Sequence, residues 1–190
     1  MIKLFETARQ LQAFCDGNGW RSCCIGGIAV QRWGNPRVTL DVDLTLLTGF
    51  GGEEPFVEAL LAQYAARVEN AAAFARRNRV LLLKSADGVG IDVSLGALPF
   101  EECVVNRAST FAFGPGLDIR TCSAEDLVVL KLFASRPLDI QDAEGVVLRQ
   151  EGRLDWRYMK EQLGPLAEAK EEPEIMQTMT RLRNLRLGPQ

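Results

Sequence analysis

Residues 37–47 read Arg-Val-Thr-Leu-Asp-Val-Asp-Leu-Thr-Leu-Leu, a polar–apolar alternation with a period of two. On a strand this puts Arg37, Thr39, Asp41, Asp43 and Thr45 on one face and Val38, Leu40, Val42, Leu44 and Leu46 on the other. The apolar face predicts a strand well anchored in a sheet. The polar face is costly, because Asp is depleted in strands and two carboxylates two residues apart point the same way and repel. A cation between them removes that cost, and a hard cation such as Mg²⁺ takes carboxylate oxygens together with phosphate oxygens. The plain alternative is an exposed polar strand face.

A third acid extends the pattern. Val80-Leu81-Leu82-Leu83 and Ile91-Asp92-Val93-Ser94-Leu95 read as two strands joined through Ser85-Ala86-Asp87-Gly88, and Asp-Gly between apolar runs signals a hairpin. Ile91, Val93 and Leu95 make one apolar face, and Asp92 interrupts the other. A hairpin partner can bring Asp92 beside Asp41 and Asp43, and three acids on adjacent strands can bind one or two divalent ions; alone, Asp92 reads equally well as a surface residue. Upstream, Gly26-Gly27 lies between the apolar stretch Cys23-Cys24-Ile25 and a short helix over residues 28–33 that Gly34-Asn35-Pro36 stops. Glycines at such a turn are often only turn residues. They also let backbone N–H groups approach a phosphate at a helix N-terminus.

Composition narrows the chemistry. The 190 residues include no histidine, which removes His general bases, His zinc sites and Ser-His-Asp triads together. What remains is carboxylate, lysine, cysteine or metal chemistry. The five cysteines, Cys15, Cys23, Cys24, Cys103 and Cys122, have no metal-ligand spacing and are expected to be buried, inert and reduced. The N-terminus does not look like a signal peptide, and no run reaches the roughly 18 apolar residues of a membrane span. A cytoplasmic protein with no membrane partner is expected. The net charge of −3 argues against a nucleic-acid binder that works through overall charge.

The remaining layout alternates less. A helix is expected over residues 2–18, ended by Asp16-Gly17-Asn18-Gly19, and another over 54–77. Residues 98–120 read as loop and short strands, with alternation from Ser109 to Phe113. Ser123-Ala124-Glu125-Asp126 reads as a helix N-cap, and the rest is helical with breaks near Pro137, Gly152, Gly164 and Pro173. The expected fold is therefore α+β: a mixed sheet with flanking helices over residues 1–120, then a helical C-terminal region over 121–190 packed on that core.

Taken together, Cys24-Ile25-Gly26-Gly27-Ile28-Ala29 and Arg37-Val38-Thr39-Leu40-Asp41-Val42-Asp43-Leu44 closely resemble the nucleotidyltransferase fold of the DNA polymerase beta superfamily. More narrowly they resemble the AbiEii-type nucleotidyltransferase toxins of abortive-infection and toxin–antitoxin systems. A looser second block comprises Asp92, Glu125-Asp126-Leu127, Lys131, Arg136, Asp139 and Asp142, so that the likeness runs from about residue 20 to 148. Gly27 stands where many superfamily members carry a serine, which leaves that phosphate contact to backbone amides.

The resemblance implies transfer of a nucleotide from a nucleoside triphosphate to a hydroxyl of RNA (tRNA included), of protein or of a small molecule, with Mg²⁺ or Mn²⁺ as cofactor. Asp41, Asp43 and Asp92 would hold the metal, and Gly26, Gly27 and Thr39 would lie against the triphosphate. Lys131 would neutralise phosphate as a point cation; otherwise it is a solvated helix lysine. Asp139 either pairs with Lys131 or acts as a general base. Arg37 either contacts phosphate or pairs with Asp41 on the strand face. For a toxin the resemblance adds a cognate antitoxin as partner. The competing reading is a non-catalytic nucleotide-binding or antitoxin-type module of the same fold.

Two basic groups fall outside this scheme. Arg76, Arg77, Arg79 and Lys84 cluster between a helix and a strand, and Arg181, Arg183 and Arg186 decorate the last helix. Either can meet RNA phosphates or form a solvated face. Met176, Met179, Leu182, Leu185 and Leu187 are expected to pack on the body or on a second subunit.

Overall fold

The sheet is ordered around β2 (Asp41–Leu47), whose Val42, Leu44 and Leu46 are completely buried. The computed structural model describes residues 1–185. β2 runs antiparallel to β1 (Ser22–Cys24) on one side and parallel to β5 (Gly90–Gly96) on the other. β5 forms the expected hairpin with β4 (Val80–Lys84), and the two-residue β3 (Ala65–Ala66) pairs with β4 at that edge. Beyond β1 come β7 (Asp118–Thr121), parallel to it, and β6 (Ser109–Ala112), antiparallel to β7. The result is one mixed seven-stranded sheet in the order β3-β4-β5-β2-β1-β7-β6, in a protein of the α+β class.

Five helices accompany these strands: α1 (Ile2–Gly17), α2 (Gly26–Trp33), α3 (Glu54–Gln63), α4 (Ala71–Asn78) and α5 (Pro99–Asn106). In α1, Leu4, Ala8, Leu11 and Cys15 recur at helical spacing, and all four lie in the core with Val42, Leu44, Leu46, Leu81, Leu83, Ile91 and Val93. After the sheet come α6 (Ala124–Ala134), α7 (Pro137–Arg149), α8 (Trp156–Lys170) and α9 (Glu174–Leu185). Ser123 caps α6 as expected: its side chain accepts the Asp126 N–H at 3.1 Å.

The chain divides into two compact units. The first, Met1–Ile28 with Val38–Cys122, contains the whole sheet. The second joins Ala29–Arg37 to the helices from Ser123 onward. Local chemistry explains why the short segment belongs there. Gln150 donates to the Trp33 carbonyl at 2.9 Å, Arg149 donates to the Gly34 carbonyl at 2.5 Å, and a Cβ at Gly34 would meet Val146 at 2.9 Å.

Several expectations need correction. The strand begins at Asp41, not at residue 37, and Val38 and Leu40 are 74% and 76% exposed. The partner strand β5 starts opposite Asp41, at Gly90, so residues 38–40 have no ladder to hold them and their alternation buries nothing. The helix expected over 54–77 is two helices. Tyr64 leaves α3 in extended backbone, Ala65-Ala66 pair with Leu83 and Lys84, and α4 starts only after Asn70 at φ +50°. Residues 99–106, read as loop, form α5, started by Pro99 and by a Glu101 carboxylate that accepts the Ala97 and Leu98 N–H groups at 2.7 and 2.8 Å. Gly164 breaks nothing, because α8 continues through Gly164 and Pro165.

Of the five cysteines, four are buried and Cys103 is half-buried. In the C-terminal group, Met179 and Leu182 are buried and Leu185 is exposed; Arg186 and Leu187 lie outside the described residues. Among those described, no helix is long and apolar enough to cross a membrane.

Candidate active site

In the first unit the β2–β5 register sets Asp43 directly opposite Asp92 and Asp41 opposite Gly90. Partners in a parallel pair share a face, and residues two apart share it too, so all three carboxylates lie along one side of the sheet. The other side carries Val42, Leu44, Ile91 and Val93 into the core. The acidic side is open to solvent: the Asp41 side chain is 48% exposed and that of Asp92 is 33% exposed. Burial pushes the Asp92 carboxyl above its ordinary range; Arg67 opposes this and the Asp41 charge adds to it.

Arg67 was not visible as a site residue in the sequence, where it sat inside an apparently helical run. One guanidinium nitrogen is bonded to Asp92 Oδ1, and the other lies 4.0 Å from Asp41 Oδ1. Among the described residues no three acidic or cysteine side chains converge on one point closely enough to ligate a single ion. Asp92 is turned to Arg67 instead. The donor types nevertheless fit a hard divalent cation: three carboxylates on one partly open sheet face, with glycines where side chains would crowd them. A Cβ at Gly90 would overlap the Asp41 carboxylate, and one at Gly26 would overlap that of Asp43.

The glycine turn meets the same face at Asp43. Gly26 has φ +57°, and α2 starts there rather than after the turn, so both glycines belong to its first turn. The Gly27 N–H donates to Asp43 Oδ2 at 3.4 Å, and the Ile25 N–H donates to the Asp43 carbonyl at 2.9 Å. Thr39 fills the space beside Gly27: a Cβ there would lie 2.6 Å from the Thr39 Cβ. Gly26, Gly27, Thr39, Asp41, Asp43 and Asp92 thus form one continuous patch of the first unit.

The second unit gathers the other predicted residues into a buried ion network. Lys131 Nζ lies 2.7 Å from Asp139 Oδ1 and 2.8 Å from Asp142 Oδ2. Arg37 grips Asp142 with two bonds, Nε to Oδ1 at 2.7 Å and Nη2 to Oδ2 at 2.8 Å. Arg136 Nε binds Asp139 from outside, its side chain 75% exposed. The side chain of Lys131 is only 8% exposed, so it is not a solvated helix lysine, and Arg37 pairs with Asp142 rather than with Asp41.

Burial pushes both Asp139 and Asp142 upward. The bonds from Arg136 and Lys131 to one, and from Arg37 and Lys131 to the other, outweigh it and hold both below the usual range. Asp126, also buried, accepts from Tyr158 at 2.6 Å and bonds the Ser123 hydroxyl at 2.7 Å, a helix-start arrangement.

Three members of the two basic groups are engaged. Arg79 binds Glu53 and donates to the Gly49 and Leu95 carbonyls, Arg76 lies 3.4 Å from Glu54, and Arg181 lies 3.9 Å from Glu144.

Comparison with known proteins adds a family. The sequence matches, over residues 1–185, the model of a family described as nucleotidyltransferase of unknown function (DUF6036). No curated protein matches it. Among solved structures it is similar to an antigenic nucleotidyltransferase-like protein from Paracoccidioides brasiliensis, at 13% identity over 93% of this chain and 92% of that one, TM-score 0.52. It is also similar to the antibiotic-resistance factor ANT(2'')-Ia: the solution structure at 18% identity over 90% and 92%, TM-score 0.55, and the complex with adenylyl-2''-tobramycin at 16% over 95% and 97%, TM-score 0.50. At these identities the likeness is one of fold.

Proposed function

Because the chain belongs to the nucleotidyltransferase family of unknown function DUF6036, we propose that the acidic face of its sheet is the site of metal-dependent nucleotide transfer from a nucleoside triphosphate to a hydroxyl acceptor. The observation that carries this reading is the pairing of Asp43 with Asp92, with Asp41 on the same face and the Gly26-Gly27 turn bonded to Asp43. Asp41, Asp43 and Asp92 would hold Mg²⁺ or Mn²⁺, which when bound supplies positive charge to the reacting phosphoryl oxygens.

The other roles follow from position. The first N–H groups of α2 and the Thr39 hydroxyl take triphosphate oxygens, as helix N-termini do. Asp92, directly opposite Asp43 on the same face, orients the acceptor hydroxyl. Asp139 is assigned to fixing Lys131 rather than to proton transfer, since a carboxyl held low by two cations is a poor base.

The likeness of residues 24–44 to AbiEii-type toxins extends the reading to an RNA or protein hydroxyl as acceptor and a cognate antitoxin as partner. The fold shared with ANT(2'')-Ia makes a small-molecule hydroxyl the comparison arm. The test is incubation with each α-labelled nucleoside triphosphate and Mg²⁺ against total tRNA, the protein itself and aminoglycosides. Label on one acceptor, absent with Asp41→Ala/Asp43→Ala, is the expected result. No labelled product with any nucleotide and acceptor would contradict it.

A further inference from the structure

Arg67 holds its place on the acidic face by design of the sheet edge. Its N–H donates to the Leu82 carbonyl at 3.0 Å, continuing the β3–β4 pairing by one residue. Leu82 in turn stands opposite Asp92, and Asp92 opposite Asp43. Arg67, Leu82, Asp92 and Asp43 therefore form one row across four strands. Two strand spacings, about 10 Å, separate the Arg67 backbone from that of Asp92. Only a side chain as long as Arg or Lys crosses the Leu82 position to reach the carboxylate. At the far end the missing side chain of Gly90 makes room: a Cβ there would come within 3.2 Å of Arg67 Nη1.

We propose that Arg67 is the resident counter-ion of Asp92 and Asp41, supplying beside them in the metal-free protein positive charge that a divalent cation supplies on loading, so that metal binding is an exchange. The inference rests on the reading of this face as a metal site. It accounts for Asp92 being turned to a guanidinium rather than toward Asp43 and Asp41. It also lowers the cost of that face without metal, since like charges in register are destabilising unless a cation intervenes. Arg67 is only 30% exposed in its side chain, which strengthens its hold relative to a fully solvated arginine.

The test is Mn²⁺ binding without nucleotide, followed by the loss of the free-ion electron paramagnetic resonance signal, for the wild type, R67Q, R67K and D41N/D43N. The exchange predicts that R67Q binds Mn²⁺ about three- to ten-fold more tightly than the wild type, from the modest worth of the ion pairs it loses. R67K, which keeps the charge, stays near the wild type, and D41N/D43N loses the site. If the wild type binds Mn²⁺ through Asp41 and Asp43 but R67Q binds it equally or more weakly, the counter-ion role is overturned and the metal reading stands. If wild type and D41N/D43N bind alike, the metal reading itself fails and the exchange with it.

Discussion

Asp43 and Asp92 face each other in the parallel pairing of β2 with β5, two carboxylates side by side on strands whose opposite face buries Val42, Leu44, Ile91 and Val93. Such a pair costs stability in the absence of a cation and gains a function in the presence of one. Asp43→Asn keeps the shape and an acceptor for the Gly27 N–H. It should leave the protein folded, with an unchanged far-ultraviolet circular dichroism spectrum, while lowering nucleotide transfer at least about 100-fold, the loss expected when a site forfeits metal charge stabilisation. A folded variant with transfer retained would contradict the assignment.

The glycine turn makes a second expectation. Gly26→Ala puts a Cβ at φ +57° and against the Asp43 carboxylate, and should cost at least about 1–2 kcal/mol by urea unfolding. Gly27→Ala strains only against Thr39, whose side chain can be shortened. The double variant Gly27→Ala/Thr39→Ala should recover part of the single variant's loss, a coupling that additive effects would exclude.

Lys131 in the second unit is expected to act on stability. It is enclosed by Asp139 and Asp142, so Lys131→Met should cost about 3–5 kcal/mol, as breaking a buried pair does. Both carboxyls are held low in the folded protein, so their contribution is complete above the ordinary carboxylate range and fades as the pH falls through the depressed values. The gap between wild type and variant should be full at pH 7 and shrink below about pH 4. Unfolding curves across that range would show it, and a gap independent of pH would not fit.

Thiol labelling tests the placement of the cysteines. Burial pushes Cys15 up to about 11 and Cys24 well above its ordinary value, and Cys23 and Cys122 are buried too. Native protein at pH 8 should react promptly with a thiol reagent at Cys103 alone; rapid reaction of more than one thiol would contradict the fold of this region.

The sequence made the acidic face legible because a period of two is a local property: Asp41, Asp43 and Asp92 could each be placed on a strand face from their neighbours. What it could not show was the extent of pairing. Val38 and Leu40 continue the same alternation, yet they lie beyond the first residue of β5 and bury nothing. Arg67 was hidden for the same reason, since only the strand order β3-β4-β5-β2 carries it to Asp92. Arg37 finds Asp142 across 105 positions of chain, so the nearer Asp41 looked like its partner. Helix α5 was missed although Pro99 and Glu101 carry ordinary start signals, because the apolar run that follows is too short to display a period.

The central claim, a metal–triphosphate site on the acidic face, is tested most directly by thermal unfolding with each nucleoside triphosphate, with and without Mg²⁺, beside Asp41→Ala/Asp43→Ala. A ligand at about 100 times its dissociation constant adds about 2.7 kcal/mol, a rise of about 5–10 °C for a chain of this size. The account predicts such a rise for at least one nucleotide, only with Mg²⁺ and only in the wild type. No rise with any nucleotide, or an equal rise in the variant, would contradict it.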